Sequence, residues 1–212
     1  MARCYENSVF INCPFDPAYR PLFEAVAFAT CDCGFYLRSA LEVDDSSEVR
    51  IQKIIRIIRE CRLAIHDISR TQLDRDTGLP RFNMPLELGI FIGAKAFGGE
   101  DHARKAAIVL DTERYRYQKY ISDIAGQDIR AHRRRPADAI REVRCFLATH
   151  CPDGVILPGG DRIVERYAQF CDGLADTCAR LHVDPRELTF RDLSTLMVAW
   201  METHPLFAAA LN

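Results

Sequence analysis

Short apolar runs alternate with stretches of helical periodicity over the first 150 residues. Ser8-Val9-Phe10-Ile11-Asn12 is β-rich and ends in turn chemistry, Cys13-Pro14-Phe15-Asp16-Pro17. A helix is predicted over about 19–30, with Leu22, Val26 and Phe28 as core contacts. Residues 34–38 read as a second strand. Ser46 or Ser47 is the expected cap of the next helix, where Ile51, Ile54, Ile55 and Ile58 recur at helical spacing opposite Arg50 and Lys53. Residues 62–68 give a third strand and 69–81 a polar loop. The almost wholly apolar residues 106–111 give a fourth strand of the buried parallel kind. A fifth strand is expected near Asp128-Ile129-Arg130, and a helix from about 136 to 149.

This alternation predicts a doubly wound α/β domain, a flavodoxin- or Rossmann-like parallel sheet, over residues 1–150. Pro152-Asp153-Gly154 and Pro158-Gly159-Gly160 are strong breakers and mark a boundary. A C-terminal helical extension over 151–212 follows, with helices expected at about 161–181 and 185–202. Asp184-Pro185 serves as the cap and first position of the second. The extension is expected to pack on the core or to mediate self-association as a homo-oligomer.

One helical run carries a chemical signal. In Phe82-Asn83-Met84-Pro85-Leu86-Glu87-Leu88-Gly89-Ile90-Phe91-Ile92-Gly93-Ala94, Glu87 is the only ionisable group and Asn83 the only other polar side chain. A helix apolar on nearly all sides is expected to be buried. A buried carboxylate persists when it is paired, hydrogen-bonded or useful. Pro85 is most comfortable in a first turn, so Glu87 is expected near the positive helix end, which favours its ionised form. The structural alternative is a carboxylate paired with Arg38 or Arg81.

Ligands of open parallel sheets bind beyond the carboxyl ends of the strands. That rule brings in Asn12, Cys13, Phe15 and Asp16 after the first strand, Arg38, Ser39 and Glu42 after the second, and Asp67, Ser69 and Arg70 after the third. Arg81 and Asn83 precede Glu87, and Asp111 and Glu113 follow the fourth strand. His66, inside a strand, is expected to pack. His132 with Arg133-Arg134-Arg135 reads as a solvated approach to a helix, with phosphate contact as the lesser reading.

Composition narrows the classes. A formal net charge of -2 argues against nucleic-acid binding through bulk charge. No run approaches the roughly 18 apolar residues of a membrane span, and the first residues lack the apolar core of a signal peptide. A soluble, cytoplasmic chain is expected. Nine cysteines without regular spacing predict reduced core residues and no metal site. There is no GxGxxG, GxxxxGK[ST], GxSxG or HExxH motif.

The order of motifs resembles nucleoside 2-deoxyribosyltransferase-like proteins over roughly residues 8–132. The resemblance is carried by Val9-Phe10-Ile11-Asn12-Cys13-Pro14-Phe15, by Asp67 at a strand end, and by Asn83-Met84-Pro85-Leu86-Glu87-Leu88-Gly89. The same superfamily includes Toll/interleukin-receptor-like (TIR) domains, whose enzymatic members cleave the nicotinamide bond of NAD and, in bacteria, often serve antiphage defence. Transferases of this family usually show a Gly-Thr or Gly-Ser step where Arg81-Phe82-Asn83-Met84-Pro85 stands here.

The resemblance implies an N-glycosidase or N-glycosyltransferase acting on a nucleotide, with NAD as substrate rather than cofactor. Glu87 would be the nucleophile or oxocarbenium stabiliser, and Asp67 a catalytic partner or sugar ligand. Asn83 would also hold the sugar, Asn12 and Phe15 would face the base, Arg38 or Arg81 would meet the phosphate, and Asp16 and Ser69 would also bind the substrate. A regulatory protein partner is expected to restrain so toxic a reaction. The competing expectation is a non-catalytic nucleotide sensor that signals through its helical tail.

Overall fold

The computed structural model describes residues 4–206 apart from 72 and 74–77, so part of the polar loop expected at 69–81 lies outside the described residues. Five parallel strands form one sheet: β1 (Ser8–Asn12), β2 (Tyr36–Ser39), β3 (Leu63–Asp67), β4 (Ala106–Asp111) and β5 (Arg130–Ala131). Their spatial order is β2-β1-β3-β4-β5. From β1 the chain moves outward to β2 and then returns past β1 to β3. The β1–β3 junction is therefore the topological switch point, where the loops leaving the two strands diverge and open a crevice.

Side-chain alternation assigns the faces. Val9, Ile11, Leu63, Ile65, Ile108 and Leu110 point to one side, where α1 (Arg20–Asp32) and α5 (Pro136–Ala148) cover them. Phe10 and Ala64 point to the other, against α2 (Arg50–Arg59) and α3 (Asn83–Phe97). A single turn, α4 (Glu100–Ala103), leads into β4.

Two helix starts differ from the sequence expectation. The backbone N–H and hydroxyl of Ser47 both donate to Asp45, at 2.9 and 2.6 Å, so Ser47 closes a turn instead of capping α2. α2 then begins at Arg50 behind an uncapped Val49. Asp184 accepts from the Arg186 backbone N–H at 2.8 Å and pairs with its guanidinium, which consumes the expected cap. The last helix starts instead at a capping box, where Thr189 and Asp192 satisfy each other.

The extension forms α6 (Gly160–Leu181) and α7 (Phe190–Thr203). Both helices share the α1–α5 core through Ile163, Phe170, Leu193 and Met197. Phe28 of α1 meets Tyr167, Phe170 and Trp200 at ring separations of about 5.5 Å. All nine cysteines are free.

α3 corrects a further expectation. Its inward residues Met84, Glu87, Leu88 and Phe91 are buried, but Leu86 and Phe97 are exposed, as is Phe82 just before it. The helix is thus apolar all round yet covered on one side only. Among the described residues no helix is long and apolar enough to cross a membrane.

Candidate functional site

The carboxyl ends of β1 and β3 and the first turns of α3 meet at the switch point. Asn12 ends β1 and is buried. Its amide nitrogen donates to the Met84 carbonyl at 2.9 Å and lies 2.9 Å from His66 Nδ1. Asn12 therefore clamps the start of α3 onto the sheet. His66 accepts that bond through Nδ1, so its ring hydrogen sits on Nε2. The ring lies edge-on to Phe10 and Phe91. Burial drives its pKa down to about 3, so it is a neutral packing residue at ordinary pH.

Clamping α3 in this way holds Glu87 inside the protein. Pro85 occupies the first turn of the helix, as expected, and Glu87 follows two residues later with only 6% of its surface exposed. Among the described residues no hydrogen bond or ion pair reaches its carboxylate. Arg38 is not its partner. That guanidinium is fully buried between Glu42, at 2.6 Å, and Glu60, at 2.9 Å. Burial raises the Glu87 pKa to about 7, opposed by the charge of Arg50. The helix end was expected to hold Glu87 ionised; desolvation outweighs it, and the group is poised near neutrality.

Asp67 points to the opposite face of the sheet, toward α1. It is buried and accepts two hydrogen bonds, from the Tyr19 hydroxyl at 2.6 Å and the Ser69 backbone N–H at 2.8 Å, and His132 Nε2 lies 3.0 Å from it. His132 Nδ1 accepts from the Arg134 backbone N–H at 2.9 Å, which places the ring hydrogen on Nε2, the nitrogen beside Asp67. Burial pushes the Asp67 pKa upward, but the contributions of His132, Ser69 and Tyr19 outweigh it and hold the carboxyl below its usual range. Asp67 is thus a fixed charge, unlike Glu87. Cys13 lies between them at the top of β1. Burial and then the charges of Asp67, Glu87 and Asp16 push its thiol well above the usual value.

The crevice rim ties its two loops together. Asp16 accepts from the Tyr19 backbone N–H at 3.1 Å and pairs bidentately with Arg70, bridging the β1–α1 and β3–α3 loops. Burial raises its carboxyl, but Arg70, the Tyr19 amide and the nearby charge of Arg81 lower it further. Arg116 holds the second loop by donating to Ser69 O at 2.7 Å while paired with the buried Asp111. Phe15 packs edge-on against Phe23 and lines a pocket with Phe190 and Leu193 of α7.

The expected residues therefore divide. Glu87, Asn12, Asp67 and Asp16 gather around the switch point, with Asn12 acting as a clamp rather than facing a base. Asn83 begins α3 on the exposed side while Glu87 turns inward, and Arg81 sits exposed on the rim. Arg38 is withdrawn into its own ion-pair cluster and does not meet a phosphate. Sequence reasoning missed Tyr19 and His132. His132, read as solvated, is fully buried; the two-residue strand before it is too short to signal where it points. Among the described residues no three His, Cys, Asp or Glu side chains converge to hold a metal ion. No protein-family model, curated protein or solved structure matches this chain.

Proposed function

We propose that this chain is a nucleotide N-glycosidase or N-glycosyltransferase whose reacting carboxylate is Glu87, with NAD as the leading substrate. The observation that carries the reading is the state of Glu87: buried, without a partner among the described residues, and poised near pH 7 beside a switch-point crevice. A carboxylate that spends no oxygen on structure is free to meet an electron-poor sugar carbon. In the first step Glu87 approaches C1 of the ribose as the C1–N bond breaks. The electron pair of that bond leaves with the base, which for nicotinamide departs neutral. Water or an acceptor then takes C1, loses its proton and restores the carboxylate.

The ionised form of Glu87 does the work in this scheme, so turnover rises with pH and levels off above about 7. The test is chromatography for free nicotinamide after NAD is incubated with wild type and with Glu87→Gln. Release by wild type and a loss of about a thousandfold or more in the variant are expected, since a nucleophile is being removed. Full turnover by Glu87→Gln on every nucleotide tried would rule the reading out.

One observation favours a second reading, the nucleotide sensor. The guanidinium of Arg20, just after the β1–α1 loop, donates to the carbonyls of Pro185 and Arg186 at 2.7 and 2.9 Å. Any movement of that loop thus reaches the extension directly. This reading expects a nucleotide to raise the melting temperature without being turned over. Cytoplasmic residence, a regulatory partner and a role in antiphage defence belong to the same proposal.

A further inference from the structure

The outward side of α3 is apolar along its whole length. Phe82, at the cap, and Leu86, Gly89, Gly93 and Phe97 recur at steps of three and four residues, so they form one stripe. It lies opposite the buried Met84, Glu87, Leu88 and Phe91. Phe82, Leu86 and Phe97 are 65, 56 and 90% exposed. A side chain added at Gly89 or Gly93 would meet nothing within 4 Å beyond the helix's own backbone. The middle of the stripe is therefore an open saddle between bulky ends. No charge interrupts it. Lys95, the only cation of the helix, stands three turns after Met84 and leaves from the inner side, where its charge acts on His150.

α2 widens this surface. Lys53 donates to the Val43 carbonyl at 2.7 Å and Arg56 pairs with Glu48 at 3.0 Å, so that side of α2 is turned to the loop before it. Ile51 and Ile55 project from the other side, next to α3, which packs on the α2 core through Ile90 and Ala94. Both isoleucines are exposed. The open apolar surface of the two helices is on the order of 700 Å², more than the largest patch of a typical monomer. It approaches the about 800 Å² that each partner buries in a standard-size interface.

We propose that this face is the contact between two copies of the chain, paired about a twofold axis with their α3 helices antiparallel. The stripe matches itself in that arrangement. An axis passing between Gly89 and Ile90 sets Leu86 of each copy on Gly93 of the other and Phe82 on Phe97, because both pairs are centred on the same point of the helix. Gly89 likewise receives Ile90. Near the axis each bulky side chain meets a glycine, which lets the backbones approach closely, and aromatic pairs close the two ends. Such a contact uses the same patch on both copies and stops at a dimer. The proposal does not depend on the chemistry of Glu87, which lies on the inner side of the same helix.

Sedimentation equilibrium of the full chain from about 1 to about 100 μM tests it, since interfaces of this size hold at micromolar concentrations or below. A doubled mass is expected. Leu86→Glu puts an unpaired carboxylate in the contact and should weaken association by about a hundredfold or more. Gly93→Arg should do the same by filling the saddle. Leu86 is exposed and Gly93 opens onto free space, so both variants keep the fold, which thermal melts check. Val198→Glu, on an exposed position of α7 away from this face, should leave association unchanged. A wild type that stays monomeric at about 100 μM overturns the proposal; if that monomer sediments with phosphatidylcholine–phosphatidylglycerol vesicles, the face is a membrane contact instead. A dimer of unchanged affinity in both Leu86→Glu and Gly93→Arg also overturns it, because the copies then meet elsewhere.

Discussion

Replacing Glu87 with Gln is expected to stabilise the fold at pH 8 and to leave its stability almost unchanged at pH 4. The direction follows from linkage. The Glu87 carboxyl titrates near 4.5 in the unfolded chain and near 7 in the folded one, because burial disfavours its charge. Between those values the folded state holds a proton that the unfolded state has lost. Stability therefore falls as pH rises from about 4.5 to about 7 and is level beyond. At pH 8 the wild type bears the full cost, about 3 kcal/mol. Gln has the same shape and cannot ionise, so it escapes that cost. Urea unfolding of both proteins at pH 4, 6 and 8 measures the difference. Equal stabilities at every pH would mean that the carboxylate is satisfied in solution, and would remove the basis for its proposed role.

The second large effect lies 134 residues apart in sequence, between α1 and α6. Arg166 donates to both oxygens of Asp32 at 2.7–3.1 Å, and its guanidinium lies over the Trp200 ring at 4.8 Å. Both partners are buried. Asp32→Ala strands a buried guanidinium, which typically costs about 3–5 kcal/mol, on the order of 10 °C in melting temperature for a chain of this size. The double variant Asp32→Leu with Arg166→Met removes both charges and should recover most of that loss. A single unfolding transition is expected in each case, because α6 and α7 share the core of α1 and α5. A separate early transition would show that the extension melts alone.

The sequence was most legible where one force dominates. β1 and β4 are read to the residue, because a run of apolar side chains buried on both faces has few alternatives. The doubly wound class follows from the alternation, and the five-stranded parallel sheet bears it out. Helix starts were less legible because capping residues have competing uses. Ser47 and Asp184 are sound caps by type, and each finds a closer partner two residues away. The polarity of α3 gave its existence but not its burial, since an apolar helix can lie at an outer layer with one face open.

At the candidate site, sequence singled out Glu87 by contrast with its neighbours, and the structure keeps that contrast. It could not foresee that Arg38 would be enclosed by Glu42 and Glu60, because Glu60 joins it from the far end of α2. Nor could it connect Asp67 with Tyr19 and His132, which come 48 residues before it and 65 after. Those pairings depend on the order of strands in the sheet, which the linear pattern does not carry.

The central claim is that Glu87 is a buried carboxyl without a structural partner among the described residues, poised near neutral pH. Its most direct test is a carbon-13 NMR titration of the side-chain carboxyls in glutamate-labelled protein, with Glu87→Gln to assign the signal. One resonance titrating near pH 7, absent from the variant, is the predicted result. Every glutamate titrating below about pH 5, in the ordinary carboxylate range, would contradict it.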